Sequence, residues 1–307
     1  MFLLPNIWTH ILFADTLCEK IDRNDILKTS SNPLHMGAQG PDPFFYHNFW
    51  PFLPNDQVEE VGMKLHTEQC GPFLLDMIER GAYQKNQIQA FILGFVSHHI
   101  LDRNTHPYIH FHAGYKENKH QELEVIIDTL MLEKHRGIRT WKTPVHKEIS
   151  MGEWKKSVST LLKSLIDTHY HGLIHHYPED FIEKSYNHIV MAQRVLYDPW
   201  GWKNKRFGKL VGPFSHQAVE NETDYLNEQR RTWNHSATNE ENTASFLDLY
   251  EEALREGEQV FPLILSYWND PGAEKIEKVK EIIGNVSYDT GKPLEENHEN
   301  LYSHPIV

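Results

Sequence analysis

The segment that most limits the fold is IQAFILGFVSHHILDRN, at positions 88–104. It is strongly apolar at helical spacing, so 87–104 reads as a core helix that Pro107 stops. The same helix carries His98, His99 and Asp102. Ionisable groups on a core helix are costly to bury unless they are paired or coordinate a metal. A second core helix, NKHQELEVIIDTLMLEKH at 118–135, sets His120 and Glu124 among Ile126, Ile127 and Leu130.

Residues four apart lie on one helical face, so His98 with Asp102 and His120 with Glu124 each aim an imidazole and a carboxylate at one point. Two such helices running antiparallel can place four ligands around one or two ions, as other helical bundles do for dinuclear sites. His106 lies eight residues after His98, on roughly the same side, and is a plausible fifth ligand. Asp42, on the tight Gln-Gly-Pro-Asp loop at 39–42, and His66, near the end of an amphipathic helix, are weak signals alone. Only Cys18 and Cys70 are present, which argues against disulfides and against a thiolate site. Imidazole and carboxylate without thiolate suit zinc, with manganese, iron or cobalt as substitutes.

Helical spacing dominates the rest of the chain, and strand-like alternation is scarce, so the expected fold is all-α, a multi-helix bundle with its metal site between core helices. Helices are expected at 8–21, from a cap at Asn55 or Asp56 to His66, at 72–80, and at 152–167, 178–195, 219–231, 242–268 and 273–284. SSNPLHMGAQGPDP reads as a polar loop ending at Asp42, DPWGW as a turn, and the last twenty residues, 288–293 included, as a loosely held tail. Residues 1–145 form the metal-binding core; 146–307 add helices packed on the same domain.

With 39% apolar and 24% charged residues over 307 positions, the chain has a soluble globular balance and can bury a sizeable core. A net charge of −13 disfavours nucleic acid as a partner. The apolar start MFLLPNIWTHILFAD lacks a positive n-region and a small-residue cleavage site, which reads as cytoplasmic. The most apolar stretch, 90–96, falls far short of the roughly 20 residues of a membrane span, and no amphipathic anchor helix is evident.

In order, the stretches WTHILFAD, GAQGPDPFF, MKLH, GFVSHHILDRNTHPYI and KHQELEVIIDTLML resemble the bacterial zinc-dependent phospholipase C family, related in fold to the trizinc single-strand nucleases. The resemblance spans roughly residues 8–132. It implies a first metal held by Asp42, His66, His98 and Asp102, and a second held by His106, His120 and Glu124. It also implies His10 as ligand of a third ion sharing Asp102. The secreted members add the amino group and carbonyl of an N-terminal tryptophan, whereas here Trp8 sits inside MFLLPNIW, so a dinuclear centre is the expectation. Two ions can bring a bridging water to near-neutral pKa and stabilise charge in an in-line displacement. Hydroxide would be the nucleophile, with Asp42 beside it as proton acceptor. Asp128, four residues after Glu124, and Gln39 or His47 near the Asp42 loop are candidates to receive the outer nitrogens of metal-bound histidines.

Plainer readings stand beside these. His99, His110 and His112 read as partly exposed histidines, although His110 or His112 could line a pocket mouth. The cluster of His169, His171, His175 and His176 has no spaced carboxylate. Phe44, Phe45, Tyr46, Phe49 and Trp50 read as loop packing in preference to a substrate rim, and EENTASFLDLYEEALREGEQ as a solvated helix face. The expected function is zinc-dependent hydrolysis of a phosphate ester, either a phospholipid-like phosphodiester or a smaller soluble one. The alternative is a non-catalytic, metal-stabilised binding or scaffold protein. A nucleotide phosphohydrolase built on adjacent His-Asp is disfavoured, since no such dipeptide occurs.

Overall fold

A computed structural model describes residues 7–50, 53, 57–116, 118–150 and 152–307. The expected caps Asn55 and Asp56 and residues 1–6 lie outside them. Among the described residues the elements are α-helices, short 3-10 turns and one pairing of two-residue strands, β1 (Trp233–Asn234) with β2 (Glu241–Asn242), so the fold is all-α as expected.

The centre is α5 (Asn86–Ala113), buried along nearly its whole length. It does not stop at Pro107. Proline removes one ladder hydrogen bond, and tertiary packing on all sides outweighs that loss, so the helix runs to a terminus at Gly114, φ +68. His98, Asp102, His106 and His110 thereby form one stripe at four-residue spacing. Alongside α5 run α1 (Trp8–Lys20) and α6 (Lys119–Arg136).

α2 (Asn24–Gly37) replaces most of the expected polar loop. It is kinked at Ser30 and holds Pro33, features that read as loop in the sequence, but its buried Ile26, Leu34 and Met36 seat it on α5. The crossing is backbone to backbone: a Cβ on Gly94 would lie 2.1 Å from the Leu34 carbonyl oxygen, and one on Gly37 would lie 2.0 Å from that of Phe91. This approach brings the residues after α2 against His98. A 3-10 turn, Asp42–Tyr46, then leads toward α3 (Glu59–Thr67) and α4 (Cys70–Gly81).

The second half differs from expectation in three places. α7 (Lys155–His169), α8 (Phe181–Leu196), α10 (Phe246–Asn269) and α11 (Ala273–Ile283) match expected helices, but 219–231 forms turns, and α9 (Trp202–Val211) begins inside the expected DPWGW turn. α10 is a core helix against α5, burying Leu249, Tyr250, Ala253 and Leu254, with Glu256 paired to Arg103 of α5 at 3.0 Å and Glu251, Glu252 and Arg255 exposed. The expected loose tail is fastened down: Tyr288 N–H donates to the His66 carbonyl at 3.2 Å, His304 N–H to that of Phe111 at 2.7 Å, and Ile306 N–H to that of His112 at 2.8 Å.

Candidate metal centre

Asp42, His66, His98, Asp102, His106, His120 and Glu124 converge, and His10 joins them from α1. Asp42 Oδ1 lies 3.3 Å from His66 Nε2 and 3.7 Å from His98 Nε2. Asp102 stands between two groups: its Oδ2 is 2.8 Å from His98 Nε2, while its Oδ1 faces His10 Nε2 at 3.4 Å and His106 Nε2 at 3.5 Å. On α6, Glu124 Oε1 lies 3.0 Å from His120 Nε2 and 3.7 Å from His106 Nε2. Ligand atoms of His66, His98 and Asp102 lie within 4.8 Å of one another, as do those of His106, His120 and Glu124.

The orientation of the rings suits metal binding. His98 Nδ1 is 3.0 Å from the Ala38 carbonyl and His66 Nδ1 is 2.7 Å from that of Gly62. Each ring donates its Nδ1–H there, which leaves the Nε2 lone pair facing the carboxylates. His98 Nε2 and Asp102 Oδ2 sit close, yet neither has a hydrogen-bond partner of acceptable angle, and Glu124 Oε2 is likewise buried and unpaired. Buried polar atoms without partners are rare in folded proteins. Side-by-side donor atoms of this kind fit a shared cation, so the residues present suit zinc.

With no cation between them, the ligand groups divide electrostatically. Burial lowers His98 and His10 to about 4, keeping them neutral as ligands must be. Burial raises Asp42 and Asp102, outweighing the neighbouring histidines. For His66 and His106 burial works against the charged form, but Asp42 in one case and Asp102 with Asp289 in the other outweigh it and raise the pKa. Glu124 and Asp289 are held low despite burial, by His120 and His106 respectively.

Sequence reasoning missed two contributors. Asp289 reaches in from the C-terminal segment, 3.4 Å from His106 Nδ1, and forms a further metal-type group with His106 and His110. Tyr288, beside it, packs its ring on His66 and His99 at 5.0 and 4.4 Å. The only hint in the sequence was an aromatic-acid pair, Tyr288-Asp289, within a polar tail. His110 lines the cavity with its Nε2 unpaired, and His99 is fully buried, its Nε2 2.9 Å from the Val286 carbonyl, not partly exposed.

The proposed outer partners need correction. Asp128 touches none of the ligands: it accepts from the backbone N–H of Trp8 and Thr9 at 2.8 and 2.7 Å, from the Thr9 hydroxyl at 2.5 Å, and pairs with His216 at 3.0 Å. It caps the first turn of α1 and so places His10. Gln39 donates to the His35 carbonyl and His47 pairs with Ser185. Backbone carbonyls at Ala38 and Gly62 do that work instead. His169 pairs with Asp76 at 3.0 Å, and among the described residues no metal-type group includes the second histidine cluster.

Above these groups opens a cavity of about 250 Å³, lined by Phe45, Met63, His110, Tyr115 and Lys116 as well as by Asp42, His66, His106, His120, Glu124 and Asp289. The aromatic run divides: Phe44 and Tyr46 pack into the core, and Phe45 walls the cavity.

The model of the family described as zinc dependent phospholipase C matches residues 9–172, more than half of the chain. The chain belongs to the zinc-dependent phospholipase C family. The match spans every candidate ligand from His10 to Glu124 and leaves Asp289 outside it. No curated protein and no solved structure matches the chain.

Proposed function

We propose that this family member is a zinc-dependent hydrolase of phosphate esters. Asp42, His66, His98 and Asp102 would hold one ion and His106, His120 and Glu124 a second, with Asp102 between them and His10 stacked on the His98 ring at 4.4 Å. The observation that carries the reading is the convergence of imidazoles and carboxylates, with His98 Nε2, Asp102 Oδ2 and Glu124 Oε2 buried and unpaired, beside a cavity that Asp42, His66, His106, His120 and Glu124 line. A metal that serves only folding has four protein ligands and no open position. The His106, His120 and Glu124 group instead supplies three ligands and faces the cavity.

When bound, zinc supplies acidification of a water and polarisation of a phosphoryl oxygen. The chain supplies the rest. Asp42, at the cavity floor with Oδ1 turned toward two imidazoles, is placed to accept a proton from the attacking water. Lys116 is the one ammonium lining the cavity and pairs with no carboxylate among the described residues, so it can meet the charge of a phosphoester. Phe45, Met63 and Tyr115 offer an apolar wall to the ester's organic part. This suits a lipid-like diester as well as a smaller phosphoester with an apolar group.

Zinc analysis of protein purified without chelator, with turnover of a chromogenic phosphodiester, tests the reading. About two equivalents of metal and chelator-sensitive turnover are expected, with manganese or iron identified by the same analysis if either takes zinc's place. Turnover that survives both full chelation and His98→Ala would refute it.

A further inference from the structure

The chain carries −13 overall, yet residues 199–219 contain no acidic side chain and include Lys203, Lys205, Arg206 and Lys209. The same stretch exposes Trp200 at 84%, Leu210 at 74%, Trp202 and Phe207. α9, at its centre, buries none of its residues. Large apolar side chains gathered this way on a water-soluble surface mark a contact site.

α9 is held to the body by polar anchors, not by an apolar face. Asp198 Oδ2 caps its first turn, accepting from the backbone N–H of Lys203 at 2.8 Å and of Asn204 at 3.0 Å. Lys203 Nζ donates to the carbonyls of Val195 and Tyr197, and Asn204 donates to the Ser215 hydroxyl. The attachment therefore leaves the aromatic and aliphatic groups outward. Cations lie over their rings: Lys142 over Trp200 at 4.9 Å and Arg206 over Phe207 at 5.7 Å. Lys205, Arg206 and Lys209 have no acidic partner among the described residues; Glu122 and Glu220 share a groove with Lys209 without pairing to it.

We propose that α9 with Trp200 is a docking surface for an anionic lipid bilayer. Trp, Phe and Leu enter the headgroup boundary while Lys and Arg meet anionic lipid, the composition of an interfacial segment. Charge complementarity selects this occupant. A positive segment with no acidic side chain of its own, on an acidic protein, is attracted to an anionic surface while the remaining surface is repelled from it, which orients the molecule. Among the described residues no helix is long and apolar enough to cross a membrane, so the contact is peripheral. The site lies nearby through α6, whose Glu122, Val125 and Ile126 border α9 and whose His120 and Glu124 face the cavity. The proposal departs from the expectation that no amphipathic anchor helix is evident. The surface was hidden because the cap at Asp198, not an apolar stripe, makes the helix.

The test is co-sedimentation of the zinc-loaded full chain with phosphatidylcholine vesicles, with and without phosphatidylserine, beside turnover of a soluble chromogenic diester. Binding is expected only with phosphatidylserine, weakening with added salt. The triple change Lys205→Glu, Arg206→Glu, Lys209→Glu should lower partitioning at least about a hundredfold, and Trp200→Ala with Leu210→Ala about tenfold. Turnover of the soluble diester and the melting temperature should stay as in the wild type, because these side chains make no core contact. Absent binding, unchanged binding by the variants, or equal binding to single-stranded oligonucleotide would overturn the proposal. Failed docking with intact turnover would leave the hydrolase reading standing, and docking without turnover would do the reverse.

Discussion

Gly40 is the most sensitive test of whether the site is built for metal. It follows α2 with φ +49, and a Cβ placed on it would lie 2.3 Å from His98 Cδ2 and 2.5 Å from Cγ. Gly40→Ala thus pays twice: a left-handed backbone costs about 1–2 kcal/mol, and His98 must retreat about 1 Å to reach ordinary contact. Metal ligation tolerates only about 0.2 Å, so the first ion should be lost. If the wild type holds it at free zinc of a hundred to a thousand times Kd, the lost linkage is about 3–4 kcal/mol. For 307 residues each kcal/mol shifts Tm by roughly 1.5 °C, so Gly40→Ala should melt about 6–9 °C lower in zinc. In excess chelator the gap should shrink to about 1.5–3 °C. Gly137→Ala is the control: φ is +65 and nothing lies within 4 Å of the added carbon, so only the backbone term applies. Calorimetry with and without zinc, plus metal content by mass spectrometry, reads both effects. The reasoning is wrong if Gly40→Ala keeps a full complement of zinc and the wild-type melting shift.

Three other outcomes follow from named groups. Asp289→Asn should weaken metal binding roughly 10- to 100-fold, measured by competition with a chromophoric chelator, because the carboxylate faces His106 Nδ1; unchanged affinity would make Asp289 merely a neighbour. Lys116→Ala should raise KM about tenfold with little change in kcat if the ammonium meets ground and transition state alike; a fall in kcat alone would contradict that role. For His235, burial and Lys292 depress the pKa to about 4 while its Nδ1 faces the backbone N–H groups of Ala237 and Thr238. The unfolded chain binds that proton near 6.5, so the stability is present above 6.5 and lost as pH falls toward 4. Its size is about 1–2 kcal/mol after discount for partial exposure. Urea titrations should show His235→Asn less acid-sensitive than wild type across this window, and parallel profiles would dismiss the assignment.

The ligand pairs were legible because His98 with Asp102 and His120 with Glu124 are local: four residues on a helix decide their direction whatever packs outside. Burial of the same helices made the reading sharper, since a core carboxylate needs a partner. What stayed hidden is non-local. Asp128 sits on the right helix at the right spacing, yet which neighbour its carboxylate meets depends on where α1 begins, and the first turn of α1 takes it as a cap. α2 was lost to its own polarity, because Pro33 and the kink at Ser30 erase the periodicity that its burial would require.

Asp289 shows the limit most clearly. No spacing rule connects it to His106, which lies far back in the chain; the link is made by residues whose sequence role is invisible. Tyr288 N–H holds the His66 carbonyl, the Val286 carbonyl meets His99, and together these fix the turn that carries Asp289 over the cavity. Histidines that looked superfluous, His99 and His110, turn out to anchor or to face that same turn. The surplus of imidazole in 98–120 therefore has two physical jobs. One subset lies on the stripe that meets the carboxylates, and the other binds the C-terminal segment that carries Asp289 to the cavity wall, so metal affinity and docking of that segment should rise and fall together.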